Sequence, residues 1–163
     1  MIYGANVDEN GISEDNDYVK ALKEYAKKNN HEVIKLCAKI EEELVGLSDE
    51  ESHEFLSSLG VNESGLDQII RTAFAKLGLI SYFTAGIVEV RSWTIKKGWK
   101  APKAASVIHN DFEKGFIKAE VISYKDYIQY KGENGAKEAG KLRLEGKDYI
   151  VLDGDIMHFR FNV

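Results

Sequence analysis

The spacing of apolar positions changes along the chain, and each change predicts an element. "MIYGANV", Met1 to Val7, is a short apolar run that reads as a buried strand. A polar, acidic loop follows, "DENGISEDND", in which Asp15, Asn16 or Asp17 is placed to cap a helix. Through "YVKALKEYAKKNN", Tyr18, Val19, Leu22, Tyr25 and Ala26 recur at helical spacing and predict one apolar face, ended by Asn29-Asn30. "HEVIKLCA" predicts a second strand. Strand, helix, strand implies a parallel pair joined by a right-handed crossover.

"KIEEELVGL" reads as a short amphipathic helix or turn, and Ser48 with Glu51 forms a capping-box sequence that opens another helix. Asn62 or Ser64 caps "NESGLDQIIRTAFAKLG". Its Leu66, Ile69, Ile70, Ala73, Phe74 and Leu77 predict a buried stripe, and Gly78 ends it.

Beyond Gly78 the period shortens. "ISYFTAG" and "VEVRSWTIKKG" read as strands around a Gly86 turn; Val88, Val90, Ser92 and Thr94 alternate with Glu89, Arg91, Trp93 and Ile95. "APKAASVIHNDFEKG" predicts the main helix, with Pro102 near its start. "FIKAEVIS" is a strand and "YKDYIQYKG" a short helix. "ENGAKEAGKLRLEG" reads as glycine-punctuated loop closing on a strand. "DYIVLDGDIMHFRFNV" reads as two strands about an Asp153-Gly154 turn. The second half is thus expected to be a small mixed sheet with one main helix, a β-grasp. The boundary is expected near Gly78 to Ser81.

Charge sharpens this division. The net charge is −5. Met1 to Ile80 holds 8 basic against 16 acidic residues, and Ser81 to Val163 holds 14 against 11. Such asymmetry suggests two modules with different partners: the first half repels nucleic acid, the second tolerates it without the strong basicity of a dedicated binder. Hydrophobic content of 44% suffices for a packed core. No apolar run reaches the roughly 18 residues of a membrane span, and no leader is visible, so no membrane partner is expected. Cys37 is the only cysteine, which excludes an internal disulfide.

Candidate chemistry lies in a few short stretches. "NVDE", Asn6 to Glu9, follows the first strand and has the outline of the Asn-Lys-x-Asp loop with which GTPases read guanine, with Val7 in place of Lys and Glu9 in place of Asp. Glutamate is one methylene longer, which shifts the bidentate geometry, and a carboxylate gains less from adenine, which lacks a 2-amino group. "CAK", Cys37 to Lys39, follows the second strand, where GTPases carry Ser-Ala-Lys. Ligands of open parallel sheets bind beyond the carboxyl ends of the strands, where both loops lie. The plain alternative is a polar turn, a small buried Cys37 and a surface Lys39.

"RSWTIKKGWKAPK" interleaves Arg91, Lys96, Lys97, Lys100 and Lys103 with Trp93 and Trp99. That mixture suits phosphate contact and base stacking, or places one tryptophan in the core and the other as a lid. His31, His53, His109 and His158 show no metal-ligand spacing. His109 and Asp111 lack a nameable nucleophile, so a structural histidine is the better reading. No G-x-x-x-x-G-K-[ST] phosphate loop is present.

Together, "LGLISYFTAG", "VEVRSWTIKKG", "APKAASVIHNDFEKGFIKAEVISY", "GAKEAGKLRLEGKDYIV" and "DGDIMHFRFNV" resemble the carboxy-terminal region of the Obg-like ATPase (YchF) family. That region is a TGS domain, a β-grasp module shared with threonyl-tRNA synthetase and stringent-response enzymes. "NVDE", "CAKIE" and "ESGLDQIIRTAFAKLGL" resemble the family's base loop, its fifth GTPase motif and the helix entering the TGS domain.

The resemblance implies residues 1–79 as the carboxy-terminal segment of a nucleotide-binding domain, a partial P-loop NTPase α/β sheet. It implies residues 80–163 as an α+β TGS domain. The phosphate loop, switch regions and a coiled-coil insertion would precede Met1 in a full-length parent. That parent would be a ribosome-associated nucleoside triphosphatase, cytoplasmic, preferring ATP over GTP and using Mg. Asn6, Val7, Glu9, Cys37, Ala38 and Lys39 would be its base-site positions.

No catalytic residue carries over, so the chain alone is expected to be inactive and to bind nucleotide weakly. Exposed sheet edges would favour self-association. The rival reading is a stand-alone TGS module that contacts RNA or the ribosome through Arg91, Trp93, Lys96, Lys97, Trp99, Lys100 and Lys103. An enzyme acting through His109 and Asp111 is the distant third.

Overall fold

The computed structural model describes residues 1–86 and 89–162. They form two compact units, Met1–Lys76 and Leu77–Val163.

In the first unit the order is β1 (Ile2–Asn6), α1 (Asp17–Lys28), β2 (Glu32–Leu36), α2 (Ala38–Leu44), α3 (Asp49–Ser58) and α4 (Gly65–Leu77). The strands pair in parallel, from Ile2 with Glu32 to Asn6 with Leu36. The Asn16 side chain caps α1 by accepting from the Val19 amide at 2.9 Å. Asn30, at a φ of 55°, turns the chain back into β2; asparagine tolerates that left-handed conformation better than most residues. The Ser48–Glu51 capping box forms as its spacing requires. Ile12, Cys37, Ile40 and Leu56 make the core of the loops and helices beyond the strands.

Two expected apolar faces are only partly covered. On α1, Val19 and Ala26 are buried, but Tyr18 is 88% exposed and Tyr25 meets only the edge of Tyr3 at 6.2 Å. On α4, Leu66 is 59% and Leu77 68% exposed, Ile69 and Ile70 are exposed as well, and Ala73 and Phe74 are half-buried. The cause is the width of the sheet. Two strands offer too little apolar surface to cover a full helical stripe.

What fixes the start of α4 is polar. The Glu41 carboxylate, from α2, accepts from the Gly65 amide at 2.6 Å and the Leu66 amide at 3.3 Å. Ser64 accepts from the Asp67 amide at 3.0 Å. A Cβ on Gly65 would lie 2.5 Å from Leu36 Cβ. Glycine therefore lets the helix start close against the end of β2.

The second unit runs β3 (Leu79–Ala85), β4 (Val90–Lys96), α5 (Ala101–Ala105), α6 (Asn110–Lys114), β5 (Phe116–Ser123), α7 (Tyr124–Gln129), α8 (Glu133–Glu138), β6 (Arg143–Glu145) and β7 (Asp155–Phe161). Its mixed sheet has the order β4-β3-β7-β5-β6, with β3 and β7 parallel and the other pairs antiparallel. Alternate residues of the strands, among them Tyr82, Ile95, Ala119, Val121, Met157 and Phe159, pack with Ala101, Ala104 and Ala105 of α5. The fully buried Tyr82 hydroxyl donates to the Ala104 carbonyl at 3.0 Å, and burial pushes its phenol pKa up.

Three expectations need correction here. The single helix over "APKAASVIHNDFEKG" is two short ones, because His109 adopts an extended backbone (φ −159°) and starts α6 as its cap. "ENGAKEAGK" is not loop throughout: α8 forms with Ala136 fully buried. The segment before Asp153 is not a strand but makes one bridge, Ile150 to Lys100. Its backbone is held by that bridge, through the Ala101 amide donating to the Tyr149 carbonyl at 2.8 Å and the Val151 amide to the Trp99 carbonyl at 3.0 Å, and by side chains. The buried Asp155 carboxylate accepts from the Leu152 amide at 2.9 Å and the Tyr149 hydroxyl at 2.7 Å, and Asp153 accepts from the Ser81 amide at 2.8 Å. Burial and the Asp155 carboxylate push the Tyr149 phenol up to about 12. Of the predicted alternation in β4, Ile95 is buried and Trp93 half-buried, Val90, Ser92 and Thr94 are exposed, and Val88 lies outside the described residues.

Gly65→Ala is expected to destabilise the first unit by about 1–3 kcal/mol, since the new methyl must displace Leu36 or α4. Denaturant unfolding followed on that unit measures it. Asp15 pairs with Lys23 and with Lys35 at 3.0 Å, and the Lys23 hydrogen bond, then that of Lys35, holds its carboxyl below the usual value. A depressed folded-state pKa gives stability that is present above the unfolded pKa and is lost as pH falls through the folded one. Below about pH 4, the wild type should therefore lose stability more steeply than Asp15→Asn in an acid titration of unfolding.

Candidate functional site

Parallel pairing sets the carboxyl ends of β1 and β2 side by side, and the ladder continues one step further with the Val7 amide donating to the Leu36 carbonyl at 2.9 Å. Asn6 ends β1, and Ala38 opens α2 directly after β2. The Asn6 side-chain oxygen accepts from the Ala38 amide at 3.1 Å, which joins the two loops across 32 positions of sequence. Among the described residues, the Asn6 Nδ2 makes no hydrogen bond.

The acidic residues of "NVDE" divide their work. Asp8 is committed to its own turn: its carboxylate accepts from the Gly11 amide at 2.7 Å, and its carbonyl accepts from the same amide. Glu9 instead forms an ion pair with Lys39. That hydrogen bond and charge hold the Lys39 ammonium above its ordinary pKa. Asn6, Val7, Glu9, Cys37, Ala38 and Lys39 line one open cleft of about 400 Å³, completed by Asp8 and Asn10. That volume lies in the range of small-ligand pockets. Cys37 is 2% exposed and its side chain packs with Ile12, Ile40 and Leu56, so it offers the cleft backbone only.

Sequence reasoning missed the supports of this cleft. Glu41 and Gly65 fix the start of α4 against α2 and β2, as described above, and Asp8 shapes the turn below Glu9. The one readable signal was glycine directly after Ser64 at a helix start, a residue whose missing side chain permits close backbone approach.

The basic and aromatic stretch is spread over β4, the following turn and α5. The Arg91 guanidinium sits 4.7 Å from the Trp93 ring centre, and the Lys103 ammonium 5.4 Å from that of Trp99. Trp93 donates through Nε1 to the Thr84 hydroxyl at 2.9 Å, and both tryptophans pack against the core. Lys100 pairs with Asp148 at 2.7 Å, while Arg91–Glu89 and Lys103–Glu113 stand at 3.8 Å. Lys96 and Lys97 are exposed and have no ion pair among the described residues.

His109 acts as the cap of α6, its ring nitrogen accepting from the Asp111 amide at 3.3 Å, in an exposed position. Among the described residues, no group of His, Cys, Asp and Glu is arranged to hold a metal ion. No described helix is long and apolar enough to cross a membrane.

Comparison with known proteins gives the family. Residues 79–162 match the family model YchF-GTPase_C, described as a protein of unknown function (DUF933). The chain is 60% identical over 162 residues to the ribosome-binding ATPase YchF of Haemophilus influenzae, covering 99% of this chain and 44% of that protein. It is 54% identical over 165 residues to the ribosome-binding ATPase YchF of Bacillus subtilis, covering 100% and 45%. The chain therefore spans less than half the length of these curated relatives. Among solved structures, the YchF GTPase of Schizosaccharomyces pombe superposes with a TM-score of 0.81 at 41% identity, over 98% of this chain and 43% of that one. A GTP-binding protein of Pyrococcus horikoshii shares the fold at 21% identity, with a TM-score of 0.67 over 99% and 46%. From its matched residues 79–162 and the relatives that align along its whole length, the chain belongs to the YchF family.

Proposed function

We infer that residues 1–79 carry the base-recognition end of a purine nucleotide site and residues 80–163 a TGS module, as parts of a ribosome-associated ATPase working in the cytoplasm. The observation that carries this is the hydrogen bond from the Ala38 amide to Asn6, which joins two loops at the ends of adjacent parallel strands. It sits in a chain that aligns along its length with proteins named ribosome-binding ATPase. The second unit supports the β-grasp reading through its strand order. Its first and last strands lie parallel at the centre, and an alanine-rich helix packs on one face.

The cleft residues suit a base and sugar rather than a triphosphate. Asn6 and Glu9 offer one amide and one carboxylate, and the sequence has no glycine-rich loop to cradle phosphates. Phosphate and Mg contacts are therefore assigned to the longer parent. In that parent, these residues would orient the base while hydrolysis occurs elsewhere. Nucleotide binding by this chain is weak on this reading, and no residue of it acts on the γ-phosphate. Incubated with ATP and Mg, the purified chain should release phosphate at the buffer rate. Release above that rate, abolished by no contaminant control, would overturn the assignment.

A second reading, a TGS module that contacts RNA or the ribosome by itself, is favoured by the exposed Lys96 and Lys97 beside the two cation–aromatic pairs. Three of the five cations already face carboxylates, which reduces the local positive potential. Binding of ribosomal RNA should weaken as salt rises, because phosphate contacts release counterions. It should vanish when Arg91, Lys96, Lys97, Lys100 and Lys103 are replaced by Glu. Salt-independent binding that survives those changes would exclude this surface.

A further inference from the structure

One edge of the second unit's sheet carries backbone groups that the chain leaves unmatched. β4 ends the strand order and pairs only with β3. The Gly86 amide donates to the Glu89 carbonyl at 2.9 Å, and the Lys97 amide to the Gly78 carbonyl at 2.7 Å. These two bonds fix the phase of the antiparallel ladder that runs between them. Arg91, Trp93 and Ile95 turn their backbone groups toward β3. Val90, Ser92 and Thr94 turn theirs outward, and among the described residues nothing in the chain bonds to those outward groups. All three residues are exposed, Val90 to 72%.

Charge marks the same edge. No acidic residue occurs from Val90 to Lys103. Arg91 meets Glu89 only at 3.8 Å, and Lys96 and Lys97 have no ion pair among the described residues. Between these basic ends stands the half-buried Trp93. A strand added antiparallel to β4 would exchange hydrogen bonds with Ser92 and Thr94. Its side chains opposite Arg91 and Trp93 would fall at the other kind of pair, where facing side chains come closest.

We propose that the free edge of β4 docks an extended acidic segment of a protein partner, which joins the sheet as a sixth strand. Its amides and carbonyls match the outward groups of Val90, Ser92 and Thr94. An apolar side chain covers Trp93, and carboxylates at either end face Arg91 and the Lys96–Lys97 pair. Such strand addition takes affinity from the main chain and specificity from alternate side chains. RNA fits this edge less well, because phosphates offer no donors to the outward carbonyls. A second copy fits less well too, because it would set a basic edge against a basic edge. The inference is independent of the base-site reading.

The probe is an end-blocked synthetic peptide, Asp-Glu-Val-Thr-Ile-Thr-Glu-Asp, titrated into the isotopically labelled chain and followed by NMR. The amides of Val90, Ser92 and Thr94 should shift, and their hydrogen exchange should slow. The same peptide N-methylated on both threonines keeps the charge and loses the strand hydrogen bonds. It should bind about tenfold more weakly or worse. Ser92→Pro removes an N–H that faces away from β3, so the ladder to β3 stays whole while the edge is blocked. It should weaken the unmodified peptide to a similar degree. Should that variant unfold, the methylated peptide still decides the matter on the unaltered chain.

Equal binding of the two peptides would reduce the effect to charge attraction and overturn strand addition. So would oligouridine shifting these amides where the peptide does not, which would make the edge an RNA surface. No response to the peptide would leave the basic residues as guards against edge-to-edge pairing, and the proposal would fall.

Discussion

Parallel pairing is the constraint on which the first unit depends. An antiparallel hairpin would place its two strand ends at opposite edges, but a parallel pair brings like ends together and requires a crossover long enough to return the chain. α1 supplies that crossover, with its ends fixed by the Asn16 cap and the left-handed Asn30. The outcome is that Asn6 and Leu36 finish side by side, and the two loops that follow have no choice but to meet. The hydrogen bond between Asn6 and Ala38 is a consequence of topology as much as of side-chain chemistry.

Around that junction, polar contacts do what a larger core would otherwise do. The sheet is only two strands wide, and its buried apolar set is small. Glu41 receiving two amides at the start of α4, and Asp8 closing its own turn, each fix backbone that packing alone leaves loose. The second unit follows the same logic on a larger core. Its helix-facing layer is apolar, but the irregular stretch from Tyr149 to Gly154 is held by Asp155 and Asp153, which accept from backbone amides and a phenol. The buried Asp155 carboxylate is stable there because two donors and the Arg143 guanidinium, 3.6 Å away, match it.

What was legible in the sequence follows from the same physics. The two parallel strands, the Ser48–Glu51 box and the meeting of "NVDE" with "CAK" were readable because local spacing and chain order determine them. The burial of α4 was not. Periodicity reports that Leu66, Ile69 and Ile70 share a face, and it cannot report whether anything covers that face. The division of the helix at His109 was hidden because an alanine-rich start and an acidic end both favour helix, while the extended backbone between them serves the packing of α6. The helix at Glu133 was masked by Gly132, Gly135 and Gly140. Of these, Gly132 and Gly140 lie outside the helix at positive φ, and Gly135 lies inside because a Cβ there would strike the Tyr130 carbonyl at 1.9 Å. Glu41 and Gly65 were invisible as a pair because they stand 24 positions apart and no sequence pattern links them.

On the proposed reading, base selection and nucleotide affinity reside in separate parts of a longer chain. Phosphates bind through charge and a cradle of backbone amides, which supplies affinity to any nucleoside triphosphate alike. The base edge contributes less, and contributes it differently to each purine, through the order of donors and acceptors. A loop pair that holds only the second function needs rigidity more than charge. Asn6 tied to Ala38, Asp8 tied to Gly11 and Lys39 tied to Glu9 supply that rigidity from within the cleft wall. Pre-organisation of this kind lowers the ordering cost of binding.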